Sequence, residues 1–206
     1  MKTIIVLSGK SGSGKTTVEK YLEANIAGSV ESYQMATKLK NVICALTGCT
    51  INQLDDQNFK KGYSNYAINL FNDVRVLTYR ELMLHISKKL RFDNNNIFID
   101  DVIRHLANST SQYIIIPDVR ELRELDALIE YANVIGHDII KIRIDRLQHN
   151  KDHKNDKTET DLDNYNQWDF YICNDKDFDH LYNTVEDLCE IANIPLKIDA
   201  KQRSLF

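Results

Sequence analysis

The chain reads as an α/β protein: a mainly parallel five-stranded sheet in three layers, with helices on both faces. Three observations predict this. Short apolar runs recur along the chain, segments with helical spacing lie between them, and the first run leads straight into a glycine-rich turn. An apolar run without alternation suits a strand buried on both faces, as parallel strands are. Strands that alternate with helices build such a sheet.

The elements follow in order. Thr3–Leu7 is the first strand, and Val18, Tyr21, Leu22 and Ile26 share one face of the helix after it. A weaker strand lies around Ser29–Tyr33, and Met35, Leu39, Val42, Ile43 and Leu46 repeat the helical spacing. Tyr113–Ile116 is the third strand; Pro117 cannot donate a ladder hydrogen bond, so it belongs at the strand's very end. Leu122, Leu125, Leu128, Ile129 and Ala132 mark the next helix, Ile139–Ile144 and Phe170–Cys173 the last strands. Leu181, Val185, Leu188, Cys189 and Ala192 mark the final helix.

Two stretches break the alternation. Thr47 to Lys89 is polar and tyrosine-rich and reads as largely helical or loop, an insertion over the sheet's carboxyl edge. Arg146 to Gln167 is a run of Lys, Asp, His, Asn and Thr, either a solvated loop or a flap that closes on a ligand. The chain is therefore expected to be a single domain, with an insert at about 34–92 and a lid segment at about 146–167.

Composition excludes some functions. Hydrophobic residues make up 43 % of the chain, enough for a sizeable core. A net charge of -4 argues against a polymeric nucleic-acid partner, which needs a basic surface to neutralise phosphates. Cys44, Cys49, Cys173 and Cys189 lack the paired spacing of a zinc site and read as reduced, mostly buried thiols. Met1-Lys2-Thr3 leads into only a few apolar residues, too short a run for a signal peptide or a membrane span. The expectation is a cytoplasmic protein without a membrane partner.

Chemistry concentrates in the glycine-rich turn. Gly9-Lys10-Ser11-Gly12-Ser13-Gly14-Lys15-Thr16 meets the G-x-x-x-x-G-K-[ST] pattern, the Walker A or P-loop motif, with a strand before it and an amphipathic helix after. Glycines let successive backbone N–H groups turn inward onto phosphate oxygens. The helix start adds the positive end of its dipole. Lys15 supplies a mobile cation for the terminal phosphates, Thr16 offers a hydroxyl to Mg²⁺, and Gly9, Ser11, Gly12, Ser13, Gly14 and Thr17 complete the cradle. The expected ligands are ATP and Mg²⁺, on a P-loop NTPase fold.

A second set of candidates concerns where the phosphoryl group goes. Tyr113-Ile114-Ile115-Ile116-Pro117-Asp118-Val119-Arg120 is an apolar strand ending in an acid and a base. Asp118 is placed to hold the Mg²⁺ water shell beside Thr16, and Arg120 to bridge donor and acceptor phosphates. Thr78-Tyr79-Arg80-Glu81-Leu82 reads as a helix start, with Thr78 as N-cap and Glu81 three residues later. Arg80 in that first turn opposes the helix dipole unless an anion binds there, which makes it a phosphate-binding candidate. Tyr33, Gln34 and Lys38 follow the weak second strand and are candidates for acceptor contacts.

Taken together, the glycine loop, Thr-x-Arg-Glu-Leu, Asp-Val-Arg at a strand end and the tail Phe170-Tyr171-Ile172-Cys173-Asn174-Asp175 resemble the phage deoxynucleoside monophosphate kinases. The resemblance spans most of the chain in the right order. It implies a nucleoside-monophosphate-kinase fold and transfer of the ATP γ-phosphate to a deoxynucleoside 5'-monophosphate, with Mg²⁺. By position, Lys15 and Thr16 would bind the ATP phosphates and metal, Asp118 and Arg120 would line the transfer site, and Arg80 and Lys38 would hold the acceptor phosphate. Two departures stand out. Tyr79 occupies a place where family members often carry proline. Only His153 and a displaced Thr158-Glu159-Thr160 approximate the family's lid motif, so Arg143, Arg146 and Glu159 are the lid candidates.

Two other readings of the same residues stay open. One is a kinase for another small phosphorylated or hydroxyl metabolite, because this loop and sheet serve many acceptors. The other is a non-catalytic, ATP-gated binding protein. Base preference is not legible, since Tyr63, Tyr66 and Phe71 in the insert suit either a core or a stacked base. A homodimer through the insert is also open.

Overall fold

The computed structural model describes residues 1–70, 73–146 and 160–197. Its contacts divide the chain into two compact units, Met1–Gln34 with Ile103–Phe206, and Met35–Val102.

The first unit is built on a parallel sheet of β1 (Thr3–Ser8), β2 (Val30–Ser32), β5 (Tyr113–Ile116), β6 (Asp138–Asp145) and β7 (Phe170–Cys173). Their order is β2-β5-β1-β6-β7, and every pairing is parallel. Each expected strand is present, with ends within about a residue of the expectation. Pro117 falls just beyond β5, where no ladder bond is asked of it.

Two helical layers cover the sheet. Ile5, Leu7, Ile115, Ile142, Ile144 and Ile172 point to one face and pack with Val18 and Leu22 of α1 (Lys15–Asn25). Leu181, Val185 and Leu188 of α7 (Phe178–Ile191) join the same core. Alternation sends Ile4, Val6, Ile114 and Ile116 to the other face, all fully buried. There α6 (Leu122–Ile135) buries Leu125, Leu128 and Ala132. This is the three-layer α/β architecture of the P-loop type, with the glycine turn on the central strand.

The second unit holds α2 (Thr37–Thr47), α3 (Ile51–Asp55), a 3-10 turn at Phe59–Lys61, and α4 (Tyr79–Asp93). The first half of α5 (Ile97–Asn108) also belongs to it. Its own core gathers Leu39, Ile43, Leu54, Leu77, Leu82, Ile86 and Phe98.

One expectation for this region is corrected. The stretch Thr47 to Lys89 is not only helix and loop: β3 (Tyr63–Leu70) and β4 (Asp73–Thr78) form an antiparallel pair. The reason is a period of two hidden among polar residues. Tyr66 and Ile68 turn into the core, while Val74 and Val76 stay exposed on the other side. Tyr63 is exposed, Tyr66 packs against the core, and Phe71 lies outside the described residues.

Among the described residues, no helix is long and apolar enough to cross a membrane.

Candidate functional site

Parallel pairing brings the carboxyl ends of all five strands of the first unit to one edge. There the chain lays out Tyr33 and Gln34 after β2, Asp118 to Arg120 after β5, and the glycine loop after β1. Arg146 after β6 and Asn174 after β7 complete the row. Such an edge, beside a central strand where the connections change direction, is where open α/β sheets hold ligands.

The loop is shaped by its glycines. Gly9, Gly12 and Gly14 take φ of 153°, 79° and 107°, values that side chains with a Cβ rarely adopt. Two of them are also hemmed in. A Cβ on Gly9 would collide with the Ile144 carbonyl, and one on Gly14 would collide with the Asn174 amide. Ser13 N–H donates to the Lys10 carbonyl (3.1 Å), which closes the turn. Asn174 Nδ2 donates to the Ser13 carbonyl (2.9 Å), and the Asn174 N–H donates to Asp145 O (2.8 Å). Thus β7 clamps the loop from behind.

The loop opens onto α1. Gly14 is the N-cap, no side chain caps the helix, and its first turn carries no acidic residue. Lys15 Nζ turns back onto the Gly9 and Lys10 carbonyls (2.5 and 2.9 Å). The Ser13 hydroxyl is buried without a hydrogen-bond partner. An orphaned donor, a cation resting on carbonyls and an uncapped helix start fit the polyphosphate of a nucleotide. Thr16 is exposed at this end of α1 and Thr17 half-buried.

A buried arginine supports the loop. Arg143, expected at the lid or its hinge, instead lies within β6 and is 6 % exposed. It donates through Nε to Asp145 (3.1 Å), through Nη1 to Ser8 Oγ (3.4 Å) and through Nη2 to Asp163 (2.9 Å). Asp163 also pairs with Lys10 of the loop (3.0 Å). Leu162 and Trp168, on either side of Asp163, are buried. The C-terminal part of the expected lid segment is therefore tied to the loop through Asp163, while Asp163, Asn164, Asn166 and Gln167 stay exposed. Arg146 is half-buried at the end of β6, and Glu159 lies outside the described residues.

The turn after β5 is held by a residue that the sequence did not single out. Glu124, 4 % exposed, accepts through Oε2 from the Arg120 N–H (2.9 Å) and the Glu121 N–H (3.2 Å). Burial is the largest cause pushing its carboxyl up to about 7, and the charges of Glu121 and Asp118 add to it. Asp118 is half-buried and the Arg120 side chain exposed. The N–H of Leu122 donates to Asp161 (2.8 Å), so the segment carrying Asp163 also ties down this turn.

The remaining candidates have local partners. Tyr33 stacks on His105, with ring centroids 3.8 Å apart, and Gln34 is half-buried. Lys38, in the second unit, pairs with Asp101 (2.9 Å). Arg80, also in the second unit, is exposed and donates to Gln57 (2.9 Å). The Thr78–Glu81 capping box forms as expected: Thr78 Oγ1 accepts from the Glu81 N–H, and Glu81 accepts from the Thr78 N–H. That box corrects the dipole argument for Arg80, because Glu81 already places a carboxylate at this helix start. The thiols also differ from expectation: Cys49 and Cys189 are buried, but Cys44 is half-buried and Cys173 exposed.

A cavity of about 430 Å³ adjoins the loop, lined by Thr16, Thr17, Lys20, Tyr21, Phe178 and Tyr182 among others. Tyr21 and Tyr182 stack within it at 4.6 Å. Among the described residues, no group of three His, Cys, Asp or Glu gathers to hold a metal ion.

No protein-family model and no curated protein matches the chain. Among solved structures, it is similar to a cysteine-to-alanine mutant of the Mycobacterium tuberculosis APS kinase CysC, with 15 % identity and a TM-score of 0.45. The alignment covers 92 % of this chain and 97 % of that one. At that score the likeness carries no functional weight, and the fold stands on strand order, register and the geometry of the glycine turn.

Proposed function

We propose that this protein transfers the γ-phosphate of ATP to a small phosphorylated acceptor, and within that class to a deoxynucleoside 5'-monophosphate. The observation that carries the reading is the glycine loop: three positive-φ glycines, one pressed against Ile144 of β6 and one against the Asn174 side chain, leading into a helix start without a side-chain cap. The acceptor class rests on the resemblance noted in the sequence.

Each residue then has a role. Backbone N–H groups of Gly9 to Gly14, with the Ser11, Ser13 and Thr17 hydroxyls, hold the phosphate chain. Lys15 leaves its loop carbonyls for the terminal phosphates. Thr16 and Asp118 are the residues to hold Mg²⁺, which when bound neutralises charge on the transferred group. Arg120, kept in place by the Glu124 carboxylate, bridges donor and acceptor. Lys38 and Arg80 take the acceptor phosphate; α2 lacks a side-chain cap and has no acid in its first turn, which supports Lys38 in that role. Tyr33 and Gln34 complete the acceptor side, and Arg146 and Glu159 the lid. The cavity beside Thr17 has the volume and aromatic wall that suit a nucleoside.

No strong general base is needed. A phosphate monoester has a second pKa of about 6 and is already a nucleophilic anion near neutral pH. Catalysis then rests on alignment and charge neutralisation.

The test is ADP release from ATP and Mg²⁺ with each deoxynucleoside monophosphate, with ribonucleotides, and with no acceptor. Turnover that appears only with one or two deoxynucleoside monophosphates supports the reading. Turnover independent of acceptor, or none with any acceptor despite ATP binding, overturns it.

A further inference from the structure

We propose that Cys44 and Cys49 are an oxidisable dithiol, a modification site that closes to an intramolecular disulfide at the corner between α2 and α3. The inference is independent of the kinase reading, since both thiols lie within the second unit.

Geometry carries it. Cys44 sits in the last turn of α2, and Gly48 ends that helix at φ 76°, with its N–H on the Cys44 carbonyl (2.8 Å). The left-handed glycine reverses the chain, so Cys49 comes back alongside the turn it has just left. The two sulfurs stand 3.8 Å apart, with the Cys49 thiol donating to Cys44. A disulfide needs about 2.05 Å between sulfurs, a gap that side-chain rotation and a small backbone shift can close. Cys44 is half-buried and reachable by a small oxidant, whereas Cys49 is buried behind it and reachable by Cys44. The other two cysteines are differently placed, with the Cys173 thiol donating to Asp175 (2.8 Å) and Cys189 on the buried face of α7.

The chemistry balances with a peroxide as oxidant. Cys44 loses its proton and its sulfur attacks one peroxide oxygen, giving a sulfenic acid and one water. The Cys49 sulfur then attacks the sulfenic sulfur, the S–S bond forms, and hydroxide leaves with the Cys49 proton as a second water. Two thiols are oxidised by two electrons, and one peroxide is reduced. Burial first, then the hydrogen bond and charge of Cys49, pushes the Cys44 thiol above its ordinary pKa, while Lys40 pulls it down. Because the thiolate is the attacking form, the reaction accelerates as pH rises, by about tenfold per pH unit below the thiol's pKa.

The experiment uses the full chain, reduced and then exposed to hydrogen peroxide at mildly acidic and mildly alkaline pH. It is followed by alkylation under denaturing conditions and peptide mass mapping. Lys40 and Lys60 bracket both cysteines, so trypsin releases them in one peptide. The expected result is that this peptide loses two hydrogens, takes no alkyl group, forms faster at alkaline pH and recovers on reduction. Cys44→Ser should leave Cys49 fully alkylatable. A Cys173→Ser background removes the exposed thiol as a route to linked dimers. The proposal fails if both thiols remain alkylatable after exposure, or if Cys44 proceeds to sulfinic acid with Cys49 untouched.

Discussion

The starts of α1 and α4 meet the same physical problem and solve it in opposite ways. Every helix N-terminus concentrates backbone N–H donors and the positive end of the peptide dipoles. At α4 the chain answers from within: Thr78 and Glu81 cap each other, and Glu81 also pairs with Arg75. At α1 the cap is Gly14, the first turn has no acid, and the neighbouring cation rests on carbonyls. A closed start stabilises its own helix. An open one, backed by glycines that cannot be replaced without collision, suits an anion from outside. The difference also shows that the helix dipole gives no separate argument for an anion at Arg80, because Glu81 already meets that helix end.

The largest expected effect breaks the open end. Lys15→Ala should lower phosphoryl transfer by orders of magnitude while leaving the unfolding midpoint close to wild type, because Lys15 contributes chiefly to the bound anion. Arg120→Ala should behave the same way. Wild-type-like turnover in either variant removes that residue from the site.

Gly9→Ala attacks the cradle itself. A positive φ and the Ile144 carbonyl both resist a Cβ, so denaturant unfolding should show a loss of about 2–4 kcal/mol. An unchanged midpoint would mean that the loop relaxes freely and is not pressed against β6.

Glu124→Gln sharpens the comparison through pH. The folded carboxyl titrates near 7 against 4.5 unperturbed. Its raised pKa means the folded state binds the proton more tightly, so its contribution is full below about pH 4.5 and is lost as pH rises through about 7. The span corresponds to something on the order of 3 kcal/mol. Stability measured against pH should decline over that window in the wild type and flatten in the variant; parallel curves would show that Glu124 does not carry the dependence. Glu81 has the opposite sign: its carboxyl is held low, first by the Thr78 N–H, so its contribution is lost as pH falls.

Thr78→Ala opens the closed end and should have the smallest effect, about 1 kcal/mol of stability. Nucleotide affinity should not change. A large drop in affinity would show that the α4 start takes part in holding ATP.

Much of this was legible in the residues. Ile4-Ile5-Val6-Leu7 and Tyr113 to Ile116 announced buried parallel strands, since a strand covered on both faces keeps every side chain of such a short β-branched run out of water. Thr78 and Glu81 announced their capping box because that interaction is local. Arg143 was misread for the opposite reason: its place before the polar segment suggested a lid, and only Ser8 and Asp163, brought in from two other segments, together with Asp145 on its own strand, make its burial tolerable. Glu124 passed as an ordinary helix residue, because its carboxylate bonds backbone that becomes available only once the turn has folded. The β3–β4 pair was missed because its inward face carries Ser64 and Tyr66 beside Ile68 while the aliphatic Val74 and Val76 face outward, the reverse of the usual pattern.

The chain by itself determined the alternation of the five parallel strands with helices and the glycine turn after the first of them, because these depend on neighbours a few residues apart. Tertiary structure alone decided that Asn174 backs the loop, that Asp163 ties Lys10 to Arg143, and that Asp161 ties down the turn after β5. Those contacts join residues distant in sequence, and a polar side chain carries no local mark of the partner that folding will set beside it.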